Sequence, residues 1–234
     1  MKILAWETAT EQLSVALWLD GAVSERALPA ERGGAEQLLA VMRQLLAEAG
    51  LGLSQLDLLA VGRGPGGFTG VRLGISVAQG LGFSTGLPVV PVSTLQAVAQ
   101  DAWQRERTLC EHAGGRIQVC QDARMAEIYS ARFVAGGETV VAEGIEVLGG
   151  AGSIMAPGAW TSAGFVVCGS ALAPFPSLAQ LPGATGSLQL AAARPGAGAV
   201  ARLAAHAGAA AAVAAAQVLP VYLRNDVAVP SIRH

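Results

Sequence analysis

The first ninety residues switch between two hydrophobic periods in an order that few architectures accept. Leu13, Val15, Leu17 and Leu19 alternate with Ser14, Ala16, Trp18 and Asp20, the period of two of a half-buried strand. Asp20-Gly21 supplies a hairpin turn, and Ala22 to Leu28 reads as the returning strand, so residues 3 to 28 form three antiparallel strands. From Glu36 to Ala49 the period changes to that of a helix, with Leu38, Val41, Met42, Leu45, Leu46 and Ala49 in register and Gly50 as the stop. Together with Leu39 these residues cover a stripe about 160° wide, broader than one sheet contact needs. Leu56 to Gly62 is a buried strand, Thr69 caps a helix to Phe83, and Leu87 to Val92 is another strand. The resulting order βββαβαβ implies an α/β layered sheet, because parallel strands require helical crossovers.

The second half repeats the plan in degraded form. Ser93 caps a helix to Arg105, and three strands follow at Arg116 to Asp122, Glu127 to Val134 and Thr139 to Leu148. A strand at Phe165 to Cys168 and a helix from Gly198 to Ala216, interrupted by Gly208, complete it. The expected organisation is an N-terminal lobe over residues 1–94 and a degenerate C-terminal lobe over 95–234.

Composition removes whole classes of function. The chain has 234 residues, 52% hydrophobic and 14% charged, too apolar for a disordered protein. Its mean hydropathy of +0.47 arises largely from alanine. The uncharged tract Ala207 to Val221 falls short of a membrane span. Acidic Glu7 interrupts any secretory segment, so the reading is cytoplasmic. A net charge of −2 argues against gripping nucleic acid directly. Cys110, Cys120 and Cys168 have no C-x-x-C spacing, and His112, His206 and His234 form no helical pair, so no metal and no cofactor are expected.

Three motifs remain. The run Gly64-Pro65-Gly66-Gly67-Phe68-Thr69-Gly70-Val71-Arg72-Leu73-Gly74 joins a strand to a helix, the local geometry of a phosphate cradle. It lacks a Walker lysine and the G-x-G-x-x-G spacing, and tight backbone packing is the favoured reading. Gly70, Gly74, Ala78 and Gly82 bare one face of the following helix, for either a partner helix or an internal contact. Glu7, Thr8 and Thr10 form the turn after the first strand, and Asp122-Ala123-Arg124 ends the matching strand of the second half. The turn reads as structural, and Asp122 with Arg124 as a local turn or interlobe contact. No histidine lies beside a candidate nucleophile in these motifs, which sets a protease aside.

These blocks, with Asp122-Ala123-Arg124-Met125-Ala126-Glu127-Ile128-Tyr129 and Pro220-Val221-Tyr222-Leu223-Arg224, resemble the bacterial YeaZ/TsaB family over nearly the whole chain. The resemblance implies an actin-like (ASKHA, ribonuclease H-like) duplicated fold of two lobes. It implies a non-catalytic subunit for making threonylcarbamoyladenosine beside the anticodon of tRNAs that read ANN codons, with catalysis left to a TsaD-like partner. A TsaE-like small ATPase joins, tRNA is met only through the complex, and a homodimer is expected when the partner is absent. The two N-terminal helices would carry the interface, through Leu38, Met42, Leu45, Leu46, Ala49, Gly70, Gly74, Ala78 and Gly82. Glu7, Thr8, Thr10 and Asp122 would be a vestigial nucleotide site. Glu7 stands where the family usually has Asp, Gly67 where it has Ser, and Gly34-Ala35-Glu36 where many members have His-Ser-Glu. The competing reading is an actin-like ATPase or small-molecule kinase with its own nucleotide site.

Overall fold

The computed structural model describes residues 1–30, 34–154, 158–185 and 190–224. Its first sheet has β1 (Lys2–Glu7) at the centre, antiparallel to β2 (Gln12–Leu19), which pairs with β3 (Ala22–Pro29). On the other side β1 runs parallel to β4 (Leu58–Gly62), itself parallel to β5 (Val89–Val92), giving the order β3-β2-β1-β4-β5. Alternation along β1 divides the protein's interior. Leu4 and Trp6 join the core under α1 (Gly34–Glu48) and α2 (Phe68–Thr85), while Ile3 and Ala5 face the opposite core.

That opposite core holds α3 (Thr94–Arg105) and α6 (Ala197–Ala207), sandwiched between the two sheets. Alanines on both sides, Ala5, Ala16 and Ala60 from the sheet and Ala197, Ala201 and Ala204 from α6, let helix and strands approach closely. The second sheet orders β10 (Val166–Cys168), β6 (Arg116–Asp122), β7 (Glu127–Gly136) and β8 (Thr139–Ala142) as β10-β6-β7-β8. The order and the parallel and antiparallel sense match β4-β1-β2-β3, so the fold is a duplicated α/β one, as the order of periods implied. Two short helices, α4 (Arg107–His112) and α5 (Gly158–Ala163), flank it.

Several expectations need correcting. The third strand of the second half is two pieces, since β8 stops at Ala142 and β9 (Val147–Gly150) pairs separately with β7. The last helix ends at Ala207, where Gly208 adopts φ 65°, and does not resume. Helix α2 begins at Phe68 with Gly67 as its cap, which moves Thr69 inside the first turn. Ser93 caps α3 as expected, its hydroxyl accepting from the Gln96 N–H at 3.1 Å. The three thiols are buried in the cores, and burial pushes those of Cys110 and Cys120 up to about 12. Among the described residues no helix is long and apolar enough to cross a membrane, and no group of His, Cys, Asp and Glu has a metal-holding arrangement.

After α6 the chain returns to the first lobe. Val213 exchanges backbone hydrogen bonds with Val89, and Ala215–Gln217 form a 3₁₀ turn beside α2. Val221 then donates to the Arg63 carbonyl at 2.8 Å, bringing Tyr222 and Arg224 to the gap between the sheets.

Candidate functional site

The motif residues converge on one cleft of about 760 Å³, walled by Thr8 to Glu11, Pro65 to Phe68, Gln121 to Arg124, Ser170 and Val221 to Arg224. Such a volume suits a small ligand. The cleft's chemistry depends on what its polar groups are already bonded to.

Glu7, at the carboxyl end of β1, is fully buried and lies behind the cleft wall. One carboxylate oxygen accepts from the N–H groups of Thr8 and Ala9 at 2.8 and 2.7 Å, and the other from the Thr94 hydroxyl at 2.9 Å. Burial raises its pKa, against the lowering pull of the Ala9 amide, the Thr94 hydroxyl and the Thr8 amide. Gly62 makes this seat possible, because a Cβ there would lie 1.9 Å from the carboxylate.

The glycine-rich loop is likewise committed internally. Gly67 N–H donates to the Ala9 carbonyl at 2.7 Å and Gly64 N–H to the Thr94 hydroxyl at 3.2 Å. A Cβ on Gly66 would stand 2.6 Å from Ala9, and one on Gly70 2.0 Å from the Thr8 carbonyl. The glycines therefore serve close approach of two loops, and these two amides are not left for an anion. Thr8 donates to the Gly70 carbonyl at 2.7 Å, while Thr10 lies at the cleft with its hydroxyl 3.3 Å from the Gln12 carbonyl.

On the facing lobe Asp122 accepts from the Arg124 backbone at 2.9 Å and its guanidinium at 3.2 Å. Arg124 also pairs with Glu11 across the cleft, so the local turn and the interlobe contact coexist. Arg124, Met125 and Ala126 hold φ of 63°, 56° and 59°, a left-handed run that costs side-chain-bearing residues about 1 kcal/mol each. Arg224 braces it, donating to the carbonyls of Ala123 at 3.0 Å and Arg124 at 3.3 Å and to Glu127 at 3.1 Å. Arg72 stacks 3.7 Å over the Phe68 ring and donates to the Tyr222 hydroxyl at 2.8 Å.

The residues expected at a partner interface lie elsewhere. Leu38, Met42, Leu45 and Leu46 are 1–6% exposed and fill the chain's own core, with Ala49 packed at its edge. Gly70 and Gly74 meet the Thr8 turn, Ala78 is fully buried, and Gly82 faces Ala215 of the returning segment. The bare helix face makes an internal contact, and the outward faces carry Leu39, Arg43, Arg72, Ser76 and Phe83 instead. Sequence reasoning passed over Gly62 and Thr94 as the seat of Glu7. The conjunction of a strand-ending glycine with a threonine at a helix start was the available signal.

Comparison with known proteins places this geometry. The family model described as TsaD, tRNA N6-adenosine threonylcarbamoyltransferase, matches residues 28–219. The tRNA threonylcarbamoyladenosine biosynthesis protein TsaB of Escherichia coli (strain K12) is 43% identical over 133 residues, 57% of this chain and 55% of that protein. Its namesake in Haemophilus influenzae is 42% identical over 134 residues, 57% and 54% of the two chains. The aligned chain thus spans about half the length of these curated relatives. The solved structure of YeaZ from Pseudomonas aeruginosa is similar over 95% of this chain and 99% of that one, at 35% identity and a TM-score of 0.82.

Proposed function

The chain belongs to the YeaZ/TsaB family, and on that premise we propose that it is a non-catalytic subunit required for threonylcarbamoylation of the adenosine 3′ of the anticodon in ANN-decoding tRNAs. It acts by docking the outward faces of α1 and α2 on a TsaD-like transferase, which supplies the catalytic groups. A TsaE-like small ATPase joins the pair, and tRNA is bound through the complex. Alone, the chain forms a homodimer over the same helices.

The observation that carries the reading is the bonding of Glu7. In an actin-like ATPase the end of this strand faces magnesium and phosphate. Here the carboxylate is seated behind the cleft wall on Thr8, Ala9 and Thr94, and loop amides of Gly64 and Gly67 are spent on the same lobe. That arrangement supports a scaffold, and disfavours an independent nucleotide site.

Two measurements test it. Purification from the native host should bring a TsaD-like chain along, and reconstituted threonylcarbamoylation should require both. Calorimetry of the isolated chain with Mg-ATP should give no micromolar binding; such binding accompanied by hydrolysis would establish the ATPase reading in its place.

A further inference from the structure

The segment after α6 is a strap laid along α2. Ala215 sits against Gly82, the Val218 carbonyl accepts from the Gln79 side chain at 3.0 Å, and Tyr222 stacks on Phe68 with ring centroids 5.6 Å apart. The strap therefore runs antiparallel to the helix from Gly82 to Phe68, about 21 Å of α-helix at 1.5 Å per residue. One 3₁₀ turn and an extended run from Ala215 to Tyr222 cover about 20 Å, so the two stay in step throughout. Val218 is the buried anchor, fully inside the core beneath α1 and α2, while Leu219 beside it is 64% exposed.

This register puts exposed apolar side chains of strap and helix on neighbouring ground. Phe83 is 83% exposed, one turn from Gln79, whose amide holds the strap just before Leu219. Phe68 and Tyr222 form the other end. With Leu39 on α1, these are half of the ten large hydrophobic residues exposed among the described ones, and they border the helix pair of the proposed function. Scattered exposed leucines need no explanation, but a set aligned along one helix marks a contact surface.

We propose that the strap, through Leu219 and Tyr222, is part of the partner-docking surface, which is a composite of α2 and the returning chain. The inference rests on the proposed function and adds to it a segment distant in sequence from the helices. The occupant is a second chain of this fold presenting its own apolar helix pair, the TsaD-like partner. A family model for that kind of chain matches this one across residues 28–219, a range that includes α1 and α2, so such a partner carries equivalent helices to present in return.

The test uses the full chain and the recombinant TsaD-like chain of the same host, with affinity measured by calorimetry. Phe83→Asp probes the helix, Leu219→Asp the strap, and Val141→Asp, at a 60% exposed position on β8, the far lobe. All three alter exposed side chains, and circular dichroism with thermal melting confirms folding. Phe83→Asp and Leu219→Asp should each weaken binding about tenfold or more, with Val141→Asp unchanged. If Phe83→Asp weakens binding and Leu219→Asp binds like the parent, the strap proposal fails while the proposed function stands. If neither variant weakens binding, the helix interface fails with it. Sedimentation of the chain alone closes the remaining route: a homodimer dissolved by Leu219→Asp with the heterodimer intact would assign the strap to self-association and overturn the proposal.

Discussion

Glu7 shows how a fully buried carboxylate is given a structural task, joining the Thr8 turn to the start of α3. Because burial raises its folded pKa above the ordinary 4.5, the stability it contributes is fully present below that value and declines as pH rises through the folded pKa. Glu7→Gln keeps the shape without the charge, so its stability relative to the parent should improve as pH rises above 4.5, measured by urea unfolding over the neutral side of that value. A difference that stays flat across that range would mean the folded pKa is not raised. Gly62→Ala drives a methyl into the same carboxylate and should cost about 3 kcal/mol. Gly74→Val meets the Thr8 hydroxyl at 2.5 Å and should cost about 2 kcal/mol in the same assay. Loss of a heterodimer in Gly74 or Ala78 variants therefore reports folding, and exposed positions such as Phe83 are the sound probes.

At the scale of elements, the strap and the left-handed hairpin at Arg124–Ala126 hold each other. The hairpin's three positive φ values persist because Asp122 accepts from one backbone N–H and Arg224 occupies two carbonyls. Arg224→Leu removes that brace and should cost about 2 kcal/mol, with faster hydrogen exchange at the amides of Ala123 to Glu127. Tyr222→Phe removes only the acceptor for Arg72 and keeps the ring stacked on Phe68. It should cost under about 1 kcal/mol and leave exchange in the hairpin unchanged. Equal exchange in the two variants would show that Arg224 does not brace the turn.

For the whole molecule, the two sheets pack around a shared layer of α3 and α6, and the chain's two halves are not two separate packing units. Helix α6, from the second half, lies on β1, β2 and β4, with the Ala197 N–H donating to Ser14 at 2.8 Å and Gly196 and Gly198 close against Glu25. The cleft walls are tied by Arg124 with Glu11 and by the strap that carries Arg224 from one lobe to the other. Both cross-lobe ties join charged groups in partial contact with water, so cleft width should respond to salt. Small-angle scattering at low and at about 1 M salt checks this, with a larger radius of gyration expected at high salt.

The order of periods, two and then 3.6, repeated once, was enough to determine the layered α/β plan, since alternation decides which side of a strand is buried. The same signal located α1, α3 and β6 closely and identified Ser93 as a cap. The motif blocks at Gly64 to Gly74, Asp122 to Tyr129 and Pro220 to Arg224 identified the family, and they do meet in space. Sequence could not decide which way a small-residue face points, because a bare face suits a foreign helix and the chain's own β1 turn equally well. Only the tertiary structure fixed that choice, by placing Thr8 against Gly70 and Gly74 and Ala215 against Gly82. It also decided where Val213 to Arg224 runs, since a short apolar segment without periodicity takes its path from the surface it lands on, here the whole length of α2.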